Sequence, residues 1–357
     1  MRWSLPKPVY YASMIATTVG VTYLTKDYFG GKKYEGEENL EGKIIIVTGA
    51  NSGIGKETAR AFAARNAKVI LACRNKERCE QVFTNYKYNY MHAKILLLKQ
   101  KINLFIVENV TWHLKKVYGT LLLDLKMVMI KCFNFLLRNI CFNIYIYDTE
   151  NSELHILVNN GGVMRCPRSY TKEGIEMQLG VNHMGHFLLT NLLLDVLKQS
   201  APSRIINVSS NAHLKGKLQV KDLNSTEKYD PYEAYAQSKL ANVLFTRELA
   251  KRLKGTQVTT NAVHPGIVDT EITRHMTLFK NLYFKYFIKP FIWPFIKSPK
   301  QGAQTILHVA LDPKLDNITG SYFSNNEVAN ISDEAKDDKL AKWLWLVSEK
   351  WTKLNVT

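Results

Sequence analysis

A run of β-branched residues that ends in closely spaced glycines leaves a chain few folds to choose from. Residues 43–48 read Lys-Ile-Ile-Ile-Val-Thr, a stretch suited to a strand buried on both faces. Thr48-Gly49-Ala50-Asn51-Ser52-Gly53-Ile54-Gly55 follows at once, and residues 56–65 continue as a helix. Glycines at such a turn let backbone N–H groups approach a pyrophosphate at the helix N-terminus. Strand, glycine turn and helix in that order form a dinucleotide cradle, with Gly49, Asn51, Ser52, Gly53, Ile54 and Gly55 as its candidate lining.

A second strand, residues 68–72, ends in Ala72-Cys73-Arg74-Asn75. A carboxylate there would accept from a ribose 2′-hydroxyl and repel a 2′-phosphate. Arg74 does the opposite, and with Asn51 or Ser52 nearby it favours NADP(H) over NAD(H). Further strands are expected at 155–158, 204–208 and 258–263, with helices at 182–197 and 235–253. Alternation of this kind predicts an α/β fold, a single Rossmann-type, doubly wound parallel sheet spanning residues 43–350.

The chain has 357 residues and a net charge of +17, which calls for an anionic partner. Neither zinc-ligand spacing nor a Lys/Arg-rich tract is present, so nucleic acid is disfavoured. Five scattered cysteines, Cys73, Cys79, Cys132, Cys141 and Cys166, argue against a disulfide framework and for a reducing compartment. Residues 9–24 are apolar or small throughout, flanked by Arg2 and Lys7 on one side and Lys26, Lys32 and Lys33 on the other. A full span takes ~20 such residues, so 1–29 reads as a membrane anchor or a targeting segment, followed by a linker at 30–42.

Tyr235-Ala236-Gln237-Ser238-Lys239 places a phenol and an ammonium on one helix face. An ammonium favours the phenolate, so the pair suits interconversion of an alcohol and a carbonyl. With the glycine loop, Asn159-Asn160-Gly161-Gly162 and His264-Pro265-Gly266, it resembles the short-chain dehydrogenase/reductase family. Val181-Asn-His-Met-Gly-His-Phe187, residues 203–210 and residues 236–246 are similar to its retinol dehydrogenase group. The resemblance covers roughly residues 20–82 and 150–350. It implies Tyr235 as acid in carbonyl reduction and base in alcohol oxidation, with Lys239 lowering its pKa and holding the nicotinamide ribose. Ser210 would hydrogen-bond the substrate oxygen, with Ser209 its competitor by sequence alone, and Asn182 would keep a water in a relay to Lys239. Asn159 would steady the sheet and border the cofactor, while Pro265, Gly266 and Thr270 would border the nicotinamide end. Hydride passes directly from cofactor to carbon, so no metal is implied.

Two departures stand out. The usual Asn-Asn-Ala-Gly reads Asn-Asn-Gly-Gly, and no Asp-Leu pair follows a third strand at the family's spacing. Residues 83–147 are too long for the family and biased toward Asn, Lys, Ile, Tyr and Phe, as translated AT-rich noncoding sequence would be. They read as a retained intron or gene-model error, or else as a lineage-specific insertion. The aromatic, Lys-bearing stretch 275–299 falls where the family has its substrate lid and suits a membrane face.

The expectation is therefore a membrane-associated, NADP(H)-dependent oxidoreductase acting on retinal and retinol or a similar lipophilic pair. Mitochondrial inner membrane and endoplasmic reticulum both remain open, and a homo-oligomer is admitted. A steroid or other lipid carbonyl is the alternative substrate. A non-catalytic, dehydrogenase-like protein with its cofactor site disrupted by 83–147 is the alternative function.

Overall fold

The computed structural model describes residues 6–73, 77–82, 95–96, 143–144, 153–276 and 283–354. The β-branched run forms β1 (Ile44–Thr48), buried at every position as a central strand must be. Helix α2 (Gly53–Ala63) rises from the glycine turn and returns the chain to β2 (Lys68–Cys73). Two-residue strands β3 (Ile95–Leu96) and β4 (Asn143–Ile144) both pair with β2, the first parallel and the second antiparallel. The rest of the 83–147 stretch lies outside the described residues.

Strands β5 (Ile156–Asn159), β6 (Ser203–Val208), β7 (Val258–His264) and β8 (Tyr322–Ser324) add in parallel on the other side of β1, and β9 (Glu327–Val328) closes the edge antiparallel. The sheet order is β3-β2-β1-β5-β6-β7-β8-β9, so the crossover reverses direction beside β1 and leaves a crevice at the strand C-termini. This is the expected α/β architecture with one, mostly parallel sheet. Helices cover both faces. On one, α2 packs with Ile306 and Leu307 from a helix late in the chain. On the other, Phe187, Phe245 and Trp345 stack together over the sheet, with ring centroids 4.9–5.8 Å apart.

The helix expected at 182–197 is not a single α-helix. It comprises α3 (Met177–Leu179), a π-helical turn (Gly180–Met184), α4 (Gly185–Leu192) and a separate helix from Leu194. Helix α5 (Pro231–Arg252) begins four residues before the expected start, because the Asp230 carboxylate accepts from the amides of Tyr232 and Glu233.

One expectation is corrected. Cys73, at the end of β2, is joined to Cys79 in a disulfide, since the helix over 77–82 folds back on the strand it follows. Among the described residues, no helix is long and apolar enough to cross a membrane. The N-terminal segment is a helix, α1 (Lys7–Gly30), of 24 residues, but its threonines and tyrosines dilute the apolar run. Residues 30–42 are not a free tether. Lys32 pairs with Glu327, and the Arg65 guanidinium donates to the Gly36 carbonyl at 2.7 Å.

Candidate active site

The crevice opens into a cavity of about 800 Å³. One wall is the glycine turn. Gly49 sits at φ +64, and a Cβ there would meet Gly161 Cα at 2.7 Å, so only glycine lets the two backbones pass so closely. Asn51, Ser52, Gly53, Ile54 and Gly55 line the same wall. The Ser52 side chain does not cap α2, which leaves the helix's first amides facing the cavity. Amide donors at a helix N-terminus, with no side-chain volume in front of them, fit a dinucleotide's pyrophosphate. Thr270 packs against Gly53, and Pro265 and Gly266 line the cavity with it. Arg74 lies outside the described residues, so its 2′-phosphate role stands as a proposal. Arg78, not anticipated from the sequence, lines the cavity and is paired with Glu271 at 2.6 Å.

Asn159 holds the sheet together, as expected, but does not reach the cavity. Its side chain is buried in the sheet, where its amide donates to Thr190 Oγ1 and Asn207 Oδ1, each at 2.8 Å, and it does not line the cavity. The next residue does. Asn160 lines the cavity and ties the turn together by donating from Nδ2 to the Thr48 carbonyl at 2.8 Å. Alternation along a strand decides this, since successive side chains point to opposite faces.

The opposite wall carries the chemistry. Tyr235 and Lys239 both line it from α5, with the Lys239 Nζ 5.7 Å from the centre of the phenol ring. Ser210 lines the same wall and acts on the Tyr235 phenol, lowering its pKa. Ser209, its sequence neighbour, donates instead to the Lys239 carbonyl at 2.7 Å, so the structure separates two serines that the sequence could not. The Ser210 Oγ also accepts the Ala212 amide at 3.2 Å.

Burial dominates the protonation of both groups. It pushes the Tyr235 phenol up to about 12, against the lowering effects of Ser210 and the Arg165 guanidinium. The same cause brings Lys239 down to about 8, while its Nζ donates to the Val208 carbonyl at 3.0 Å. The lowered tyrosine pKa expected from the Tyr/Lys spacing is therefore not present here; desolvation outweighs the neighbouring charge. Arg165 was not foreseen in this role. It sits at φ +49, a conformation uncommon outside glycine, and its guanidinium lies 4.7 Å from the Tyr232 ring centre.

Asn182 lies in the π-helical turn rather than on the cavity wall. Its side chain clamps Val163, accepting from the amide and donating to the carbonyl at 2.9 Å each, and donates to Ser238 Oγ at 2.9 Å. It thus joins the 159–163 loop to the turn of α5 that carries Lys239.

Residues 43–118 and 147–280 match the family described as short chain dehydrogenase. The chain belongs to the short-chain dehydrogenase family. Within it, the relatives place this dehydrogenase in the retinol dehydrogenase group. Retinol dehydrogenase 13 of Mus musculus is 41% identical over 95% of this chain and 92% of its own length. Retinol dehydrogenase 12 of Homo sapiens is 42% identical over 90% of each chain. Among solved structures, an uncharacterized protein from Mycobacterium paratuberculosis matches with a TM-score of 0.62 at 29% identity, over 90% of this chain and 98% of that one.

Proposed function

We propose that this dehydrogenase interconverts retinal and retinol, or a similar lipophilic carbonyl and alcohol, using NADP(H), with Tyr235 as proton donor in reduction and acceptor in oxidation. One observation carries the reading: Tyr235, Ser210 and Lys239 meet on the wall that faces the glycine turn. Bound NADPH would supply the hydride. The residues of the chain would do the rest. The glycine turn and the first amides of α2 would hold the pyrophosphate, with Arg74 at the 2′-phosphate. Pro265, Gly266 and Thr270 would border the nicotinamide end.

A phenol held at about 12 keeps its proton at neutral pH and stands ready as the acid for carbonyl reduction. Ser210 would hydrogen-bond the substrate oxygen as charge develops on it. The Lys239 ammonium, close to the ring, would favour the phenolate once the proton has left.

A lipophilic substrate is supported by the group's relatives and by the lid. Tyr283, Phe287, Phe291 and Phe295 are exposed on residues 283–295, a segment tied by the Lys289–Asp269 ion pair at 2.9 Å to the 264–274 stretch that lines the cavity. Helix α1, whose end contacts Trp293 and Phe295, also exposes Tyr10, Tyr11, Ile15, Val21 and Leu24. Together they suit docking on a bilayer surface, with rings sunk among headgroups.

Replacing Tyr235 with Phe should lower reduction of all-trans-retinal by on the order of 10²–10⁴-fold, with NADPH binding retained. Undiminished turnover would overturn the tyrosine's role. An NADPH titration that shows no binding would instead favour the non-catalytic alternative, and tighter NADH binding would overturn the cofactor preference.

A further inference from the structure

A buried histidine links the two halves of the site. Thr48 ends β1, and its Oγ1 accepts the amides of Asn160 at 2.8 Å and Gly161 at 2.9 Å. Both lone pairs of the hydroxyl are then engaged, so its proton must point elsewhere. The nearer acceptor is Nε2 of His186 at 2.9 Å, against 3.3 Å to the Val158 carbonyl. His186 Nε2 therefore accepts, which assigns the proton of a neutral ring to Nδ1. That nitrogen lies 3.1 Å from the Asn182 carbonyl oxygen and donates to it.

The ring is fully enclosed, and burial brings it down to about 4, so it stays neutral at working pH. His183 on the same helical segment and Lys239 from α5 are the titratable groups that act on it. Asn182 sits in the π-helical turn, where the helix's amide ladder is offset and a carbonyl can turn to another partner.

We propose that His186 is a positioning residue that holds the cofactor-lining loop at Asn160–Gly161 and the Asn182 carbonyl in one register, through a fixed tautomer. The inference rests on the reading that Tyr235 exchanges the proton of the reaction and that Asn182 keeps a water in a relay to Lys239. One end of the imidazole fixes the wall of the cavity through Thr48. The other fixes the backbone of Asn182, the residue expected to keep a water in the relay to Lys239.

The two hydrogen bonds can be separated by substitution. An asparagine amide reaches the position of Nδ1 and can keep the bond to the Asn182 carbonyl. A glutamine amide reaches the position of Nε2 and can keep the bond to Thr48. His186→Asn should keep kcat within a few-fold and weaken NADPH binding about tenfold, the worth of one lost buried hydrogen bond. His186→Gln should show the reverse, with near-normal NADPH binding, kcat down about tenfold and a displaced pH profile of kcat. His186→Leu should show both losses.

NADPH fluorescence titration, steady-state turnover of all-trans-retinal between pH 6 and 9, and thermal midpoints on the full chain would be read together. Lowered midpoints with unchanged kcat and NADPH affinity in the Asn and Gln variants would reduce His186 to a packing residue and overturn the proposal. Parallel losses of kcat and affinity in those two variants would overturn the division of roles. Should the leucine variant fail to fold, the asparagine and glutamine pair decides alone. Failure of the underlying reading is distinct: the wild type would not bind NADPH, or Tyr235→Phe would keep its turnover.

Discussion

Desolvation sets the charge of the two side chains at the centre of the site, and it does so in measurable ways. Lys239 titrates near 8 in the folded protein against an ordinary 10.5. Between those values the unfolded chain holds a proton that the folded protein has shed, so stability rises with pH across that window. Tyr235, at about 12, keeps its proton in both states below about pH 9 and is common to both proteins compared below. The urea midpoint of the wild type relative to Lys239→Met should therefore be flat from pH 6 to 7 and climb from pH 8 to 10. A flat difference throughout would show that the ammonium is better solvated than its burial implies. The residue pair itself was legible as Tyr-x-x-x-Lys. The sign of the tyrosine's shift was not, because spacing reports neighbours and says nothing of how much water a fold removes.

At the level of elements, the end of α1 is fastened to the lid. The Lys26 Nζ donates to the Trp293 carbonyl at 3.0 Å and to the Ile296 carbonyl, and it lies 4.5 Å from the Trp293 ring centre. Tyr23 packs edge-on against Trp293, and Phe29 against Phe295 at 4.8 Å between centroids. A helix and a lid joined this way would move as one surface on a bilayer. Lys26→Ala should leave turnover of a water-soluble aldehyde unchanged while lowering turnover of retinal presented in phosphatidylcholine vesicles several-fold. Equal rates with both substrates in the variant and the wild type would dismiss the coupling. The aromatic content of both segments was visible in the sequence. Their contact was not, since it joins residues some 270 positions apart.

For the whole molecule, the family match leaves out residues 119–146, inside the compositionally odd 83–147 stretch. The described part of that gap, β4, adds only two residue pairs to the edge of β2. Every described residue that lines the cavity lies outside the stretch. A chain lacking 119–146 should thus fold, keep its NADPH affinity and unfold at a similar urea concentration. Loss of soluble protein or of binding on deletion would make the segment an integral part of the fold.

By itself the sequence determined the sheet and its cradle. Periodicity and glycine spacing are local, and β1, α2, β2, β5, β6 and β7 form within a residue or a few of where those signals place them. Only the tertiary structure decided which of two serines meets the tyrosine, which of two asparagines lines the cavity, and that His186 bridges Thr48 and Asn182. Those outcomes depend on which face of a strand or helix is covered and by what. Such packing is set by residues far away in the chain.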